Sequence, residues 1–318
     1  WLPWVIWAIL RLFDKTNIGN LGILGLIVGL QLQRAHAQIA YYTWMAGGLL
    51  IVLLLLNIHK LQINKPKWIL FTAMGLILGL CMAMWIYLPA LNYAPHSIRG
   101  AGGGGGTGFE YATAWSFSFG EMSTFFIPSF YGFGGPAYWG DMPFTDYPNY
   151  MGIITLTLAI IGVIFYEKKI KWFFVITAVL ALVISFGKHF FLYQIFYDYF
   201  PYFNKFRVPA MFLILTQFSV VVLAGLGLDL STKIISENNN NKSEKVLIKI
   251  IELTIKARSI IRKKDALASN LGHTFGHALE KISNYEVLHG DAISVGTVMA
   301  LYFALDRGLI SQSKVDEI

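Results

Sequence analysis

Up to about residue 228 the chain is written in long apolar runs separated by short polar turns. Uncharged runs cover 17–33, 40–57, 68–91, 150–166, 172–187 and 208–228. They show little of the polar alternation that marks an amphipathic surface helix. A bilayer-spanning helix needs about 20 mostly apolar residues, so the pattern predicts six spans. The run 1–13 is too short to span and reads as the end of a seventh. Beyond Leu228 the writing changes. Asn238 to Asn241, flanked by Ser236, Glu237, Lys242 and Ser243, forms a polar low-complexity stretch. After it Ile248, Ile251, Ile255 and Ile260 alternate with Lys249, Glu252, Lys256 and Arg258, the pattern of a soluble helix. The predicted fold is all-α. A polytopic transmembrane helix bundle of six or seven spans occupies 1–229, an Asn-rich linker 230–245, and a short soluble helical segment 246–318.

Composition sharpens this break. Of the 43 charged residues, 21 fall in 1–229 and 22 in the much shorter 230–318, as expected where a chain passes from one solvent to another. The net charge of +7 does not point to nucleic acid, because the basic residues sit in short loops between apolar runs. Arg11, Lys15, Lys60, Lys65, Lys67, Lys168, Lys169 and Lys171 share one loop parity. Arg34, Arg99, Lys188, Lys205 and Arg207 share the other, spread over longer segments. The positive-inside rule puts the first set in the cytoplasm. The expected location is therefore a bacterial-type inner membrane, crossed several times, with segment 92–149 outside and the tail after Leu228 inside. The lipid bilayer is the expected partner. The start at Trp1, without Met, reads as a cut end rather than a signal peptide. Cys81 is the single cysteine, so no disulfide forms within one chain.

The outer segment 92–149 is rich in rings, from Phe109, Tyr111 and Trp115 to Tyr138 and Trp139, which require burial or a place at the headgroup level. The run Gly102 to Gly106 is open to two readings, a mobile flap over a site or a surface loop without a task. Glu110, Glu121, Asp141 and Asp146, taken singly, read as solvated loop charges, with cation binding or base chemistry as the alternative. Arg207 precedes Val208-Pro209 at the start of an apolar run, at the outer interface by this topology. Its guanidinium suits bidentate phosphate binding; snorkelling to the headgroups is the other reading. Arg34 and His36 share a short outer turn and read as interface anchors.

The densest chemistry lies near the C-terminal end. His273 and His277 are four apart and share a helix face if 271–282 is helical. Each follows a glycine, Gly272 and Gly276, which lowers helix stability by about 1 kcal/mol relative to alanine and suggests close approach by another backbone or a ligand. His289 follows in a Leu-His-Gly-Asp291 turn, with Asp291 placed to open the next helix. Imidazoles so grouped suit a zinc-type ion; exposed helix and loop histidines are the alternative.

Two resemblances follow from particular strings. Gly29-Leu-Gln-Leu-Gln-Arg-Ala-His-Ala-Gln-Ile-Ala-Tyr-Tyr-Thr43, then Trp115-Ser-Phe-Ser through Phe130-Tyr-Gly-Phe-Gly-Gly135, and Phe206-Arg-Val-Pro-Ala-Met-Phe212 make 1–229 resemble YfhO-like polytopic membrane proteins of the glycosyltransferase type. That resemblance implies sugar transfer from a polyprenyl-phosphate-linked donor. Asn270-Leu-Gly-His-Thr-Phe-Gly-His-Ala-Leu-Glu280 with Leu288-His-Gly-Asp291 resembles the C-terminal domain of 3-dehydroquinate synthase and related sugar phosphate cyclases. It implies that His273 and His289 are metal ligands for zinc or cobalt. It also implies that His277 serves substrate phosphate or proton transfer, and that Asn270 contacts substrate. The family completes the metal site with a glutamate from an earlier segment and uses NAD, but no glycine fingerprint for a dinucleotide occurs here.

Three functional readings result. In the leading one the chain is a fragment or chimera joining a YfhO-like membrane protein, cut at its start, to an interrupted cyclase segment, inactive as it stands. In the second it is a membrane glycosyltransferase-like protein with a vestigial or regulatory cytoplasmic tail. In the third it is a membrane-tethered cyclase of the 3-dehydroquinate synthase type, which eliminates phosphate and closes a carbocycle.

Overall fold

The computed structural model describes residues 1–34, 36–56, 64–93, 96, 108–128, 130–132, 137–145 and 149–237, with isolated positions from Lys281 to Gln312. Contacts divide the chain into two units, Trp1–Leu247 and Ile248–Ile318. Among the described residues there is no strand. Among the described residues of the first unit nine α-helices follow one another: α1 (Leu2–Asp14), α2 (Ile18–Arg34), α3 (Ala37–Leu55), α4 (Lys65–Tyr93), α5 (Phe109–Thr113), α6 (Ile153–Phe165), α7 (Lys171–Ser185), α8 (Phe191–Tyr199) and α9 (Leu213–Glu237). Of the second unit, only isolated helical positions, Val295 and Tyr302 among them, are described.

Every apolar run of the sequence becomes a helix, but not every helix is long. Three are long and apolar enough to cross a membrane: Ala37–Leu55, Lys65–Ala90 and Pro209–Lys233. Helices α1, α2, α6 and α7 have 13, 17, 13 and 15 residues. At about 1.5 Å per residue they fall short of a hydrocarbon core of about 30 Å. Among the described residues there are thus three span-length helices where the hydropathy pattern predicts six or seven. Helix α9 also runs on through 230–237, the first part of the predicted linker, before the described residues stop.

The basic side shows how helix ends are fixed. The last carbonyls of a helix have no partner within it. Lys65 Nζ donates to Leu55 O of α3 at 3.0 Å, and Lys171 Nζ to Val163 O of α6 at 2.6 Å. Between α1 and α2, buried Asn20 donates to Lys15 O at 2.7 Å and accepts from Arg11 Nε at 2.9 Å. Three cations of one loop parity therefore close turns as well as carrying charge toward one side.

Packing within the bundle relies on close backbone approach. Helices α6 and α9 meet at Gly162 and Gly227. A Cβ at Gly162 would stand 2.2 Å from Leu223 O, and one at Gly227 2.0 Å from Leu158 O. Small residues serve this purpose where lipid removes the hydrophobic drive between helices. Helices α2 and α4 do the same through Gly25, Gly75 and Gly79. The outward face of α4 stays apolar: Leu70, Ile77 and Leu88 are exposed, and Trp85 is 70% exposed. An apolar face of that extent suits lipid rather than water.

Candidate functional site

The described structure places chemistry at one end of the helical body, where α5, the turns after α7 and the approach to α9 interlock. Val208 N donates to Ala112 O at 3.0 Å and Ala210 N to Trp115 O at 3.1 Å, so the segment before α9 is strapped to α5 and its exit. Val208 sits at φ 63°, a left-handed conformation that β-branched residues rarely adopt. The straps on either side hold it there. Ser116, fully buried, donates to Thr113 O at 2.6 Å and accepts from Lys188 N at 3.0 Å, tying in the turn that follows α7.

Arg207 occupies the edge of this assembly. Its carbonyl accepts from Gln38 Nε2 on α3, and its Nη1 donates to the Tyr111 hydroxyl. The guanidinium lies 5.2 Å from the Tyr111 ring centre and 5.8 Å from that of Trp115. Ring faces attract the cation without neutralising it. No described carboxylate forms an ion pair with Arg207, and its contacts hold the side chain against Tyr111 and Trp115. His36 starts α3 and Arg34 ends α2, the short turn the sequence predicts.

Glu121 departs from its sequence reading. It is 2% exposed, not solvated. Its carboxylate accepts from Ser118 N at 2.8 Å and from the Tyr138 hydroxyl at 2.5 Å, while that hydroxyl accepts from Met142 N at 3.0 Å. Burial, and then the bond to Glu121, push the Tyr138 hydroxyl well above the usual tyrosine range. Glu121 therefore pins the 137–145 segment to the 116–125 segment. The signal for it was present: Ser118-Phe-Gly-Glu121 has the spacing in which a glutamate reaches back to the backbone N–H three residues earlier. Glu110 and Asp141 are exposed, as read; Asp146 and Gly102 to Gly106 lie outside the described residues. The rings of the loop do find burial or stacking, with Phe117 on Phe125 at 5.4 Å and Tyr131 on Trp139 at 4.3 Å.

Asn270, His273, His277 and His289 all lie outside the described residues. Among the described residues, no group of three or more His, Cys, Asp or Glu side chains is arranged to hold a metal ion.

Comparison with known proteins bears on this second region. The family model for the 3-dehydroquinate synthase C-terminal domain matches residues 228–318. Similar curated proteins include the 3-dehydroquinate synthase of Campylobacter hominis, 36% identical over 89 residues, which are 26% of this chain and 26% of that protein. That of Prochlorococcus marinus is 38% identical over 92 residues, 26% of this chain and 25% of its own. That of Aliivibrio fischeri is 60% identical over 50 residues, 15% of this chain and 14% of its own. The chain thus spans about a quarter or less of the length of these relatives. No solved structure matches. The resemblance of 1–229 to YfhO-like glycosyltransferases gains no support from these matches. What they support is a partial 3-dehydroquinate synthase-like region at the C-terminal end.

Proposed function

We propose that residues 228–318 act as metal- and substrate-binding machinery of a 3-dehydroquinate synthase-type cyclase, carried behind a membrane-spanning helical body. The observation that carries this reading is the family match over 228–318, within which the Asn270–Glu280 and Leu288–Asp291 strings fall. The donor set fits a divalent ion of the zinc or cobalt kind, since neutral imidazoles suit both. His273 and His289 would hold it, and such an ion would supply Lewis-acid chemistry toward substrate oxygens. His277 moves a proton or meets substrate phosphate, and Asn270 orients the substrate. NAD does not fit the residues present, because 228–318 contain no glycine fingerprint of the kind that seats a dinucleotide.

Titration of the whole chain in detergent with Co²⁺, followed by its visible absorption, tests the reading. Binding is expected to weaken strongly in His273→Ala and His289→Ala and to persist in His277→Ala. Equal affinity in all of these variants would remove the ligand assignment.

For the body, the stacking of Arg207 on Tyr111 and Trp115 favours a second reading, an anion site at the outer membrane interface. This reading places the short helices α1, α2, α6 and α7 in the bilayer too, with the membrane thinned around them, and gives six or seven crossings. It keeps Arg11, Lys15, Lys65, Lys67 and Lys168–Lys171 on the cytoplasmic side.

A further inference from the structure

Between α3, α7, α8 and the turn leading into α9 lies a cavity of about 470 Å³, walled by Tyr41, Trp44, Thr177, Phe196, Phe200 and Phe212 among others. Protein interiors hold few voids larger than a water molecule, and this volume falls within the range of about 300–1,000 Å³ typical of built ligand sites. Its wall offers water almost nothing. The Tyr41 hydroxyl is spent on Pro201 O at 2.5 Å, and Trp44 Nε1 on Gln31 Oε1 at 3.2 Å. A buried water needs two to four polar partners, so the space suits hydrocarbon. One group is left over. Thr177 is 4% exposed, lines the cavity, and its hydroxyl has no hydrogen-bond partner. That oxygen is itself closed off from the cavity surface, so Thr177 adds no polar foothold to the wall.

The cavity wall continues into the cationic segment before α9. Phe200 is followed by Lys205 and Arg207. The Tyr41 ring lies 4.8 Å from that of Phe206, and Gln38, one helical turn before Tyr41, holds the Arg207 carbonyl. Neither Lys205 nor Arg207 forms an ion pair with a described carboxylate. The geometry points to an anionic glycerophospholipid as occupant. One acyl chain fills the cavity, and the phosphate sits at Arg207. This inference rests on the anion-site reading of Arg207 for the headgroup, but on the cavity alone for the chain.

Gly48 supplies the test. It lines the cavity, and a Cβ there would meet nothing within 4 Å, so Gly48→Phe fills the space without displacing the fold. Full chain purified in mild detergent, loaded with phosphatidylglycerol or phosphatidylcholine, is weighed by native mass spectrometry. Wild type is expected to retain phosphatidylglycerol in preference. Gly48→Phe is expected to lose retention of both lipids at least tenfold with an unchanged thermal unfolding midpoint. Arg207→Ala is expected to keep a lipid but lose the preference. Undiminished retention in Gly48→Phe overturns the cavity assignment. A preserved preference in Arg207→Ala, with retention lost in Gly48→Phe, overturns the anion reading and leaves the chain site standing.

Discussion

The helical body and the C-terminal region solve different problems with different residues. The body carries 21 charged residues over 229 positions, and the region beyond carries 22 over 89. In the body, polar groups are consumed internally: lysines close helix ends, Glu121 ties two loop segments, and glycines let backbones touch. The C-terminal region instead holds the Asn270–Glu280 and Leu288–Asp291 strings and is similar to the C-terminal domain of 3-dehydroquinate synthases. Apolar packing is satisfied by many sequences, so it leaves a body whose fold is readable and whose relatives are not. Metal and phosphate chemistry is satisfied by few residue types at few spacings, so a short string reveals its kin.

Breaking the body at the close approach of α6 and α9 gives the largest expected effect. Gly227→Leu drives a side chain into Leu158 O and is expected to lower stability by about 3 kcal/mol or more. Gly225→Leu, where a Cβ meets nothing within 4 Å, is expected to leave it unchanged. Unfolding midpoints in detergent compare the two, and equal losses would show that the α6–α9 approach is not what holds the body together. Next comes Glu121→Ala, which strands the Tyr138 hydroxyl and the Ser118 N–H in a buried place, a loss of about 2–3 kcal/mol. Limited proteolysis between 126 and 150 is expected to speed up accordingly. Glu121→Gln, which keeps an acceptor, should lose less. Unaltered cleavage in the alanine variant would return Glu121 to the status of a solvated charge.

The C-terminal region sharpens the contrast, because its residues should matter to ligands and not to the bundle. His289→Ala is expected to weaken Co²⁺ binding by more than about 10–100-fold, the loss that even outer partners of a metal ligand cause. The unfolding midpoint of the body should stay in place. A joint fall of metal affinity and body stability would erase the distinction between the regions. The smallest effect is expected for Lys171→Met. It removes a cation from the end of α6 and is worth about 0.3–1 kcal/mol, read in the same detergent assay and reduced further by salt.

Sequence alone determined where helices form in the body, because uninterrupted apolar residues have few ways to satisfy their backbone away from water. It also carried the likeness of the C-terminal region to 3-dehydroquinate synthase, because the Asn270–Glu280 and Leu288–Asp291 strings fall inside the matched residues 228–318. Tertiary structure decided how long the helices run, since Lys65 and Lys171 close α3 and α6 from the next segment in the chain. It decided that Glu121 is buried, since its partner Tyr138 approaches from 17 residues away. It decided that Arg207 is held in place, since Tyr111 reaches it from 96 residues away. Hydropathy is a sum over neighbours along the chain; a hydrogen bond or a ring contact needs two distant atoms in one place, and only folding supplies that.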